Sequence, residues 1–274
     1  MNKQEVLSIL DQYGLSAKKS LGQNFLCNEN VISDIIDLSE AGPQSRVLEI
    51  GPGIGALSEK LVSRCEKYVA IEIDTRFQAR LEECIEKKGG TVLFEDYLTF
   101  SPDTLPDFVP DVILSNLPYY VMTPIMLKVM KDYPSCPRMV YMVEEEACDR
   151  IFAKPNSKQY GPLSVLTSLY GEKEKVFRVD GASFYPAPNT TSAVIRIERG
   201  DNDFDPSWIS FVESAFALRR KTLVNSLSSG GKYGKEQILS ALSHAAIPET
   251  IRSEALLPEN FTEIYKFLQG RKDE

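Results

Sequence analysis

Arg46-Val47-Leu48-Glu49-Ile50 is a short apolar run that breaks into Gly51-Pro52-Gly53-Ile54-Gly55 and resumes at Ala56 with helical spacing as far as Cys65. The run reads as a buried strand, the glycine-rich segment as a turn, and Ala56–Cys65 as a helix. Glycines let a backbone approach a ligand closely, and a helix N-terminus offers N–H groups to it. Gly51, Gly53 and Ala56 also satisfy the Gly-x-Gly-x-x-Gly/Ala dinucleotide fingerprint. Glu72 stands about 20 residues on, at the end of the next strand, where that motif wants a carboxylate for ribose hydroxyls. At this point a nicotinamide dinucleotide is an open reading.

Outward from the loop the chain alternates. Tyr68–Ile73, Thr91–Glu95, Asp111–Ser115 and Met139–Val143 read as strands. Arg76–Lys87, Pro124–Asp132 and a segment from Glu144 read as helices between and after them. Strands that are apolar throughout, rather than on alternate residues, belong to a parallel sheet covered on both faces, so the fold class is α/β. Lys175–Val179 and Ser192–Ile197 read as an antiparallel pair at the sheet edge. Residues 1–40 read as two helices around a polar turn. Beyond Gly200-Asp201-Asn202-Asp203 the pattern is helical to the end, in Trp208–Leu218, Thr222–Leu227, Glu236–Ala245 and Glu259–Leu268. The expected organisation is a sheet domain over 1–200 and a smaller all-α domain over 201–274.

The composition narrows the function classes. No apolar run approaches the ~20 residues that span a bilayer, and the polar start, Met1-Asn2-Lys3-Gln4-Glu5, is no signal peptide, so a cytoplasmic location is expected. The cysteines Cys27, Cys65, Cys84, Cys136 and Cys148 are scattered without a Cys-x-x-Cys pair, which fits reduced thiols and no zinc site. With His244 as the single histidine, a Ser-His-Asp triad or a multi-histidine metal centre is hard to build, and no metal is expected. A formal net charge of −8 means that nucleic-acid binding would need a local basic face.

Asn116-Leu117-Pro118-Tyr119-Tyr120 follows the Asp111–Ser115 strand. Proline removes a donor and keeps Leu117 out of the helical region, which leaves carbonyls to face a ligand. An amide oxygen with free carbonyls accepts hydrogen bonds from an exocyclic amine, and an aromatic ring stacks on its base. Asp96 ends the Thr91–Glu95 strand, so Glu72, Asp96 and Asn116 all fall at carboxyl ends of strands, where open α/β sheets bind ligands. A turn cap is the structural alternative for Asp96.

Glu49 two residues before the Gly-Pro-Gly turn resembles the S-adenosylmethionine methyltransferase version of the loop. Asn116-Leu117-Pro118-Tyr119 resembles the element of enzymes that methylate amines of bases, and the dehydrogenase reading has no use for it. With Lys18-Lys19-Ser20-Leu21-Gly22-Gln23-Asn24-Phe25-Leu26, Ser157–Val165, Phe184-Tyr185-Pro186-Ala187-Pro188 and Phe216-Ala217-Leu218-Arg219-Arg220-Lys221-Thr222-Leu223, the chain resembles the small-subunit rRNA adenine N6,N6-dimethyltransferase family over nearly its whole length. It departs from the family pattern at Asn28, where aspartate is usual, at Asn189-Thr190-Thr191, and at Val179-Asp180-Gly181.

The resemblance implies a Rossmann-like class I methyltransferase sheet with a helical C-terminal domain, acting as a monomer. It implies that Asn24, Leu26, Gly51, Gly53, Glu72, Asp96 and Asn116 contact S-adenosylmethionine. Asn116, Leu117 and Pro118 would hold the target amine, with Tyr119 stacked on the base and Phe184 closing its other face. The substrate would be two adjacent adenosines in a hairpin loop near the 3′ end of 16S rRNA in the small ribosomal subunit. Lys18, Lys19, Arg150, Lys158, Arg219, Arg220 and Lys221 are the candidate RNA-binding cations. Rival readings are a large-subunit rRNA or DNA adenine methyltransferase, and an assembly factor whose main role is binding.

Overall fold

The computed structural model describes residues 1–18, 21–117, 119–201 and 203–270, Tyr119 through its backbone. The elements run α1 (Lys3–Gln12), β1 (Phe25–Leu26), α2 (Glu29–Ser39), β2 (Arg46–Ile50), α3 (Ser58–Leu61), β3 (Lys67–Glu72), α4 (Gln78–Cys84), β4 (Thr91–Phe94) and β5 (Val112–Asn116). They continue with α5 (Met122–Asp132), β6 (Arg138–Glu144), α6 (Glu145–Ile151), α7 (Pro162–Tyr170), β7 (Gly171–Val179), β8 (Phe184–Tyr185) and β9 (Ser192–Arg199). The last are α8 (Ser207–Phe216), α9 (Leu223–Ser229), α10 (Lys235–His244) and α11 (Pro258–Leu268).

The main sheet has the order β4-β3-β2-β5-β6-β9-β7. β2 pairs in parallel with β3 on one side and β5 on the other, and β4 and β6 extend the parallel run. The order therefore reverses beside β2, and the crevice at the carboxyl ends of β2 and β5 is a topological switch point. Register keeps those ends level: Ile50 lies opposite both Ile71 and Ser115. Val47, Leu48, Val69, Ile113 and Leu114 are completely buried, as apolar strands covered on both faces require. At the far edge the arrangement is finer than the sequence indicates. β9 lies antiparallel to β6, and β7, which begins at Gly171, takes the outermost place.

A second ladder of two strands decides where the N-terminal segment lies. β1 pairs antiparallel with β8, Phe25 opposite Tyr185 and Leu26 opposite Phe184. Asn28 caps α2 by accepting from the N–H groups of Asn30 and Val31, and its amide donates to Ser183 Oγ at 3.1 Å. The two bonds join the start of α2 to the turn that precedes β8.

The chain divides into two compact units, one of residues 1–148 with 173–199 and the other of residues 149–172 with 200–274. The sequence placed the whole of 1–200 in one domain; instead, residues 149–172 cluster with the C-terminal helices. The reason is packing: Leu163, Val165, Leu166 and Tyr170 of α7 are buried, and Tyr170 and Trp208 both meet Phe204, at ring centroid distances of 5.2 and 5.5 Å. Within this unit Phe211 packs on Tyr265, and Phe216 stacks on Phe261. His244 sits exposed near the end of α10 beside the Phe267 ring, a helix-surface residue. The five cysteines form no disulfide. Among the described residues no helix is long and apolar enough to cross a membrane.

Gly55 tests the loop that joins β2 to α3. Its φ is +82°, and a Cβ there would sit 2.7 Å from Cys84 Sγ. Gly55→Ala adds left-handed strain to that clash and is expected to destabilise the chain by about 2–4 kcal/mol in urea unfolding. An unchanged midpoint would contradict this account of the loop.

Candidate active site

The carboxyl ends of β2, β3, β4 and β5 open into a cavity of about 240 Å³. Its walls bring together Asn24, Leu26, Gly51, Gly53, Glu72, Asp96, Asn116, Leu117 and Phe184 from the sequence-derived site. Pro118 and the Tyr119 side chain lie outside the described residues. The sheet supplies Glu72 and Asn116; the β1–β8 ladder carries Leu26 and Phe184 to the same space.

The glycine loop is tied inward. Gly51 N–H donates to Ile71 O and Gly55 N–H to Pro52 O, both at 2.9 Å, while Gly53 N–H donates to Glu72 Oε2 at 2.9 Å. The expected helix over Ala56–Cys65 contracts to α3, because the chain leaves helical geometry soon after Leu61. These three donors are thus engaged within the protein and do not face an anion.

Carboxylates dominate the electrostatics. Glu72 is 4% exposed and also accepts from Asp74 N–H at 2.9 Å. Burial raises its pKa, partly offset by those backbone bonds. Glu49, buried beneath the loop, accepts from Ser58 Oγ at 2.6 Å and from the Tyr68 hydroxyl. Burial pushes its carboxyl up to about 7, the two hydroxyl bonds work against that shift, and nearby Glu72 adds to it. Asp96 is both a cap and a wall: one carboxylate oxygen accepts from Leu98 N–H at 2.9 Å, and the residue lines the cavity. An array of acids around an apolar cavity suits a cation and repels a pyrophosphate.

Asn116 ends β5 half-buried, and its Nδ2 donates to Asn24 O at 3.3 Å. That bond orients the amide, and among the described residues no donor meets Oδ1, which leaves its lone pairs for another group. Leu117 is buried, its N–H held by Met142 O at 3.1 Å, which continues the β5–β6 pairing past Asn116.

The N-terminal segment is latched over the cavity. Gln23 Nε2 donates to Asp74 Oδ2 at 2.9 Å, and Gln23 Oε1 accepts from Lys18 N–H at 2.8 Å. Arg76 binds both Asp74 oxygens and reaches Ser16 O at 3.2 Å. The Arg76 hydrogen bonds hold the Asp74 carboxyl well below the usual range. Lys18 Nζ stands 3.7 Å from Asp74, so this cation serves the latch. Lys19 lies outside the described residues. Arg150 and Lys221 are exposed, and Lys158, Arg219 and Arg220 border one cavity of the helical unit. Among the described residues no cluster of histidine, cysteine and carboxylates forms a metal site.

Ile73 and Leu98 are additions to the sequence-derived site. Both line the cavity, yet they are 52% and 36% exposed, which is unusual for large apolar residues at strand ends. The signal was available: each stands one or two residues past an acid already singled out. Tyr120, 62% exposed, completes the rim.

The family described as "Ribosomal RNA adenine dimethylase" matches residues 14–270. The chain is 38% identical, over 95% of its length and 94% of the relative's, to the Ribosomal RNA small subunit methyltransferase A of Geobacillus sp. (strain WCH70). It is 40% identical to the protein of that name from Bacillus cereus (strain AH187), over 92% of this chain and 91% of the relative. Its fold matches a dimethyladenosine transferase from Plasmodium falciparum with a TM-score of 0.72 at 24% identity, covering 90% of this chain and 98% of that one. The 23S rRNA methyltransferase ErmE matches with a TM-score of 0.61 at 25% identity, covering 90% and 100%.

Glu49 makes the folded state sensitive to pH. With its carboxyl raised from 4.5 to about 7, the folded protein holds a proton there that the unfolded chain releases. The contribution is therefore fully present below pH 4.5 and is lost as pH rises through 7. Glu49→Gln keeps an acceptor for Ser58 and Tyr68 and removes the titration. Urea midpoints should favour the variant increasingly from about pH 5 to about pH 8; parallel curves would contradict the assignment.

Proposed function

The chain belongs to the ribosomal RNA adenine dimethylase family; from that membership we propose its substrate and the work of each site residue. It transfers methyl groups from S-adenosylmethionine to N6 of two adjacent adenosines in a hairpin loop near the 3′ end of 16S rRNA. The product is N6,N6-dimethyladenosine, made during small-subunit biogenesis by a cytoplasmic monomer. The observation that carries this reading is the Asn116 amide, oriented by Asn24 O and set at the same sheet crevice as Glu72 and Asp96.

The cavity fits S-adenosylmethionine by the chemistry of its walls. Glu72 retains lone pairs for ribose hydroxyls, and the Asp96 carboxylate keeps capacity to accept from an adenine amino group. Ile73 and Leu98 offer apolar walls to a flat heterocycle, while Leu26, Gly51 and Gly53 close the remaining side. The Asp96 and Glu72 carboxylates suit a positively charged sulfonium. The dinucleotide reading lacks this support, because the glycine N–H groups are internally bonded and the wall is acidic.

When bound, S-adenosylmethionine supplies a methyl group already activated by its sulfonium. The protein's task is then positioning. Adenine N6 is a poor nucleophile because its lone pair is delocalised into the ring. Asn116 Oδ1, with the Leu117 or Pro118 carbonyl, accepts the amine hydrogens and draws the nitrogen toward tetrahedral geometry. Phe184 covers one face of the base and Tyr119 stacks on the other. The nitrogen becomes acidic as it gains a substituent, so no strong base is required. Splaying the adenosine costs least from a single-stranded loop.

The curated relatives named for the small subunit support that substrate over the large subunit and over DNA. A role in assembly is compatible with the activity. The test is labelled methyl transfer from S-adenosylmethionine to undermethylated small subunits, large subunits and duplex DNA; transfer should favour the first. Asn116→Ala should lower the rate roughly 10²-fold or more with an unchanged unfolding midpoint. Near-normal turnover in that variant, or preference for another substrate, would overturn the reading.

A further inference from the structure

The helical unit contains a cavity of about 640 Å³ that the methyl-transfer site does not use. Its volume lies within the ~300–1,000 Å³ of small-ligand pockets. Separate stretches of the chain build it: 156–160, the end of α8 with the following turn, and 253–254. Hydrogen bonds fix these walls to one another. Asn156 N–H donates to Glu254 O at 2.7 Å, the Tyr160 hydroxyl donates to Leu256 O at 2.8 Å, and the Ser253 hydroxyl donates to Ala215 O.

The lining has three chemistries. Lys158, Arg219 and Arg220 supply positive charge, and none of them forms an ion pair among the described residues. Tyr160 and Phe216, with ring centroids 6.0 Å apart, form an apolar wall with Leu218. Glu254 adds a single carboxylate, 3.9 Å from Arg252 Nη1. Asn156 and Arg220 both hold φ of +66°, a left-handed backbone that a residue as bulky as arginine rarely adopts. The turn that presents the cations is therefore strained and held in place by its surroundings.

From this cavity we propose a second nucleotide socket: it receives one unpaired nucleotide of the RNA, distinct from the adenosines that are methylated. The inference rests on the reading that the substrate is RNA. The guanidiniums and Lys158 take the phosphates, the aromatic wall takes the base, and Glu254 accepts hydrogen bonds from an amino-bearing base edge. A duplex would present its phosphates to an open basic face, whereas a concave cavity with an apolar wall and a part-exposed carboxylate in its lining admits a nucleotide swung out of its strand.

The test uses the full chain, with the cofactor cavity saturated by S-adenosylhomocysteine, in equilibrium dialysis with labelled guanosine 5′-monophosphate, uridine 5′-monophosphate and inorganic phosphate. Guanosine monophosphate should bind saturably and about fivefold or more tighter than either of the others, a preference that Glu254→Gln reduces. The Arg219→Ala/Arg220→Ala double variant should abolish that binding. Ser157→Trp fills the cavity without changing charge. It should weaken affinity for undermethylated small subunits about tenfold while leaving the salt dependence and S-adenosylmethionine affinity unchanged. Equal binding of nucleotide and phosphate by the unaltered chain would overturn the socket, as would a folded Ser157→Trp with unchanged affinity. The dialysis needs no methyl transfer, so failure of the socket is distinguishable from failure of the proposed reaction.

Discussion

A single carboxylate holds the catalytic unit's ligand crevice in shape. Glu72, at the end of β3, accepts from Gly53 in the loop after β2 and from Asp74 just beyond its own strand. Those bonds tie the glycine turn to the neighbouring strand and place Asp74 where it latches Gln23. The latch sets Asn24, whose carbonyl orients the Asn116 amide. The path from the β3 terminus to the Asn116 amide thus runs largely through hydrogen bonds. Removing Glu72 would free the glycine turn, while the N-terminal segment keeps its β1–β8 pairing and the Arg76 bond to Ser16 O.

A net charge of −8 does not describe the local environments. In the sheet unit, the buried acids Glu49 and Glu72 line a cavity suited to a cationic cosubstrate. In the helical unit, Lys158, Arg219 and Arg220 share one cavity, with a single carboxylate beside them. Overall charge averages two local fields of opposite sign, and recognition responds to the local one. Lys18, which the sequence grouped with the RNA-binding cations, stands beside Asp74, a pairing between residues far apart in the chain.

Most of the sheet was legible because its strands are short apolar runs bounded by turn residues, and Arg46–Ile50 is observed with the expected limits. The polar residues at strand ends were legible for the same reason: once the strands are placed, Glu72, Asp96 and Asn116 fall level with one another. The contraction of α3 was not, since Ala56–Cys65 has helical spacing throughout, whereas α3 starts only at Ser58, after the glycine turn, and stops at Leu61. Nor was the assignment of 149–172 to the helical unit, which the packing of Tyr170 and Trp208 on Phe204 decides across a long gap in sequence. Ile73 and Leu98 were overlooked because apolar residues attract notice when they are periodic, and these are conspicuous for their exposure.

In the proposed reaction, Asn116 and its neighbours hold the N6 amine of an adenosine against the cosubstrate cavity. The most direct measurement is position-resolved mass spectrometry of nucleosides from undermethylated small-subunit rRNA after incubation with the protein and S-adenosylmethionine. N6,N6-dimethyladenosine should appear at two adjacent positions in the 3′ hairpin loop, with no methylation elsewhere. Methyl groups on a ring nitrogen, on another base, or at scattered adenosines would contradict the proposed reaction.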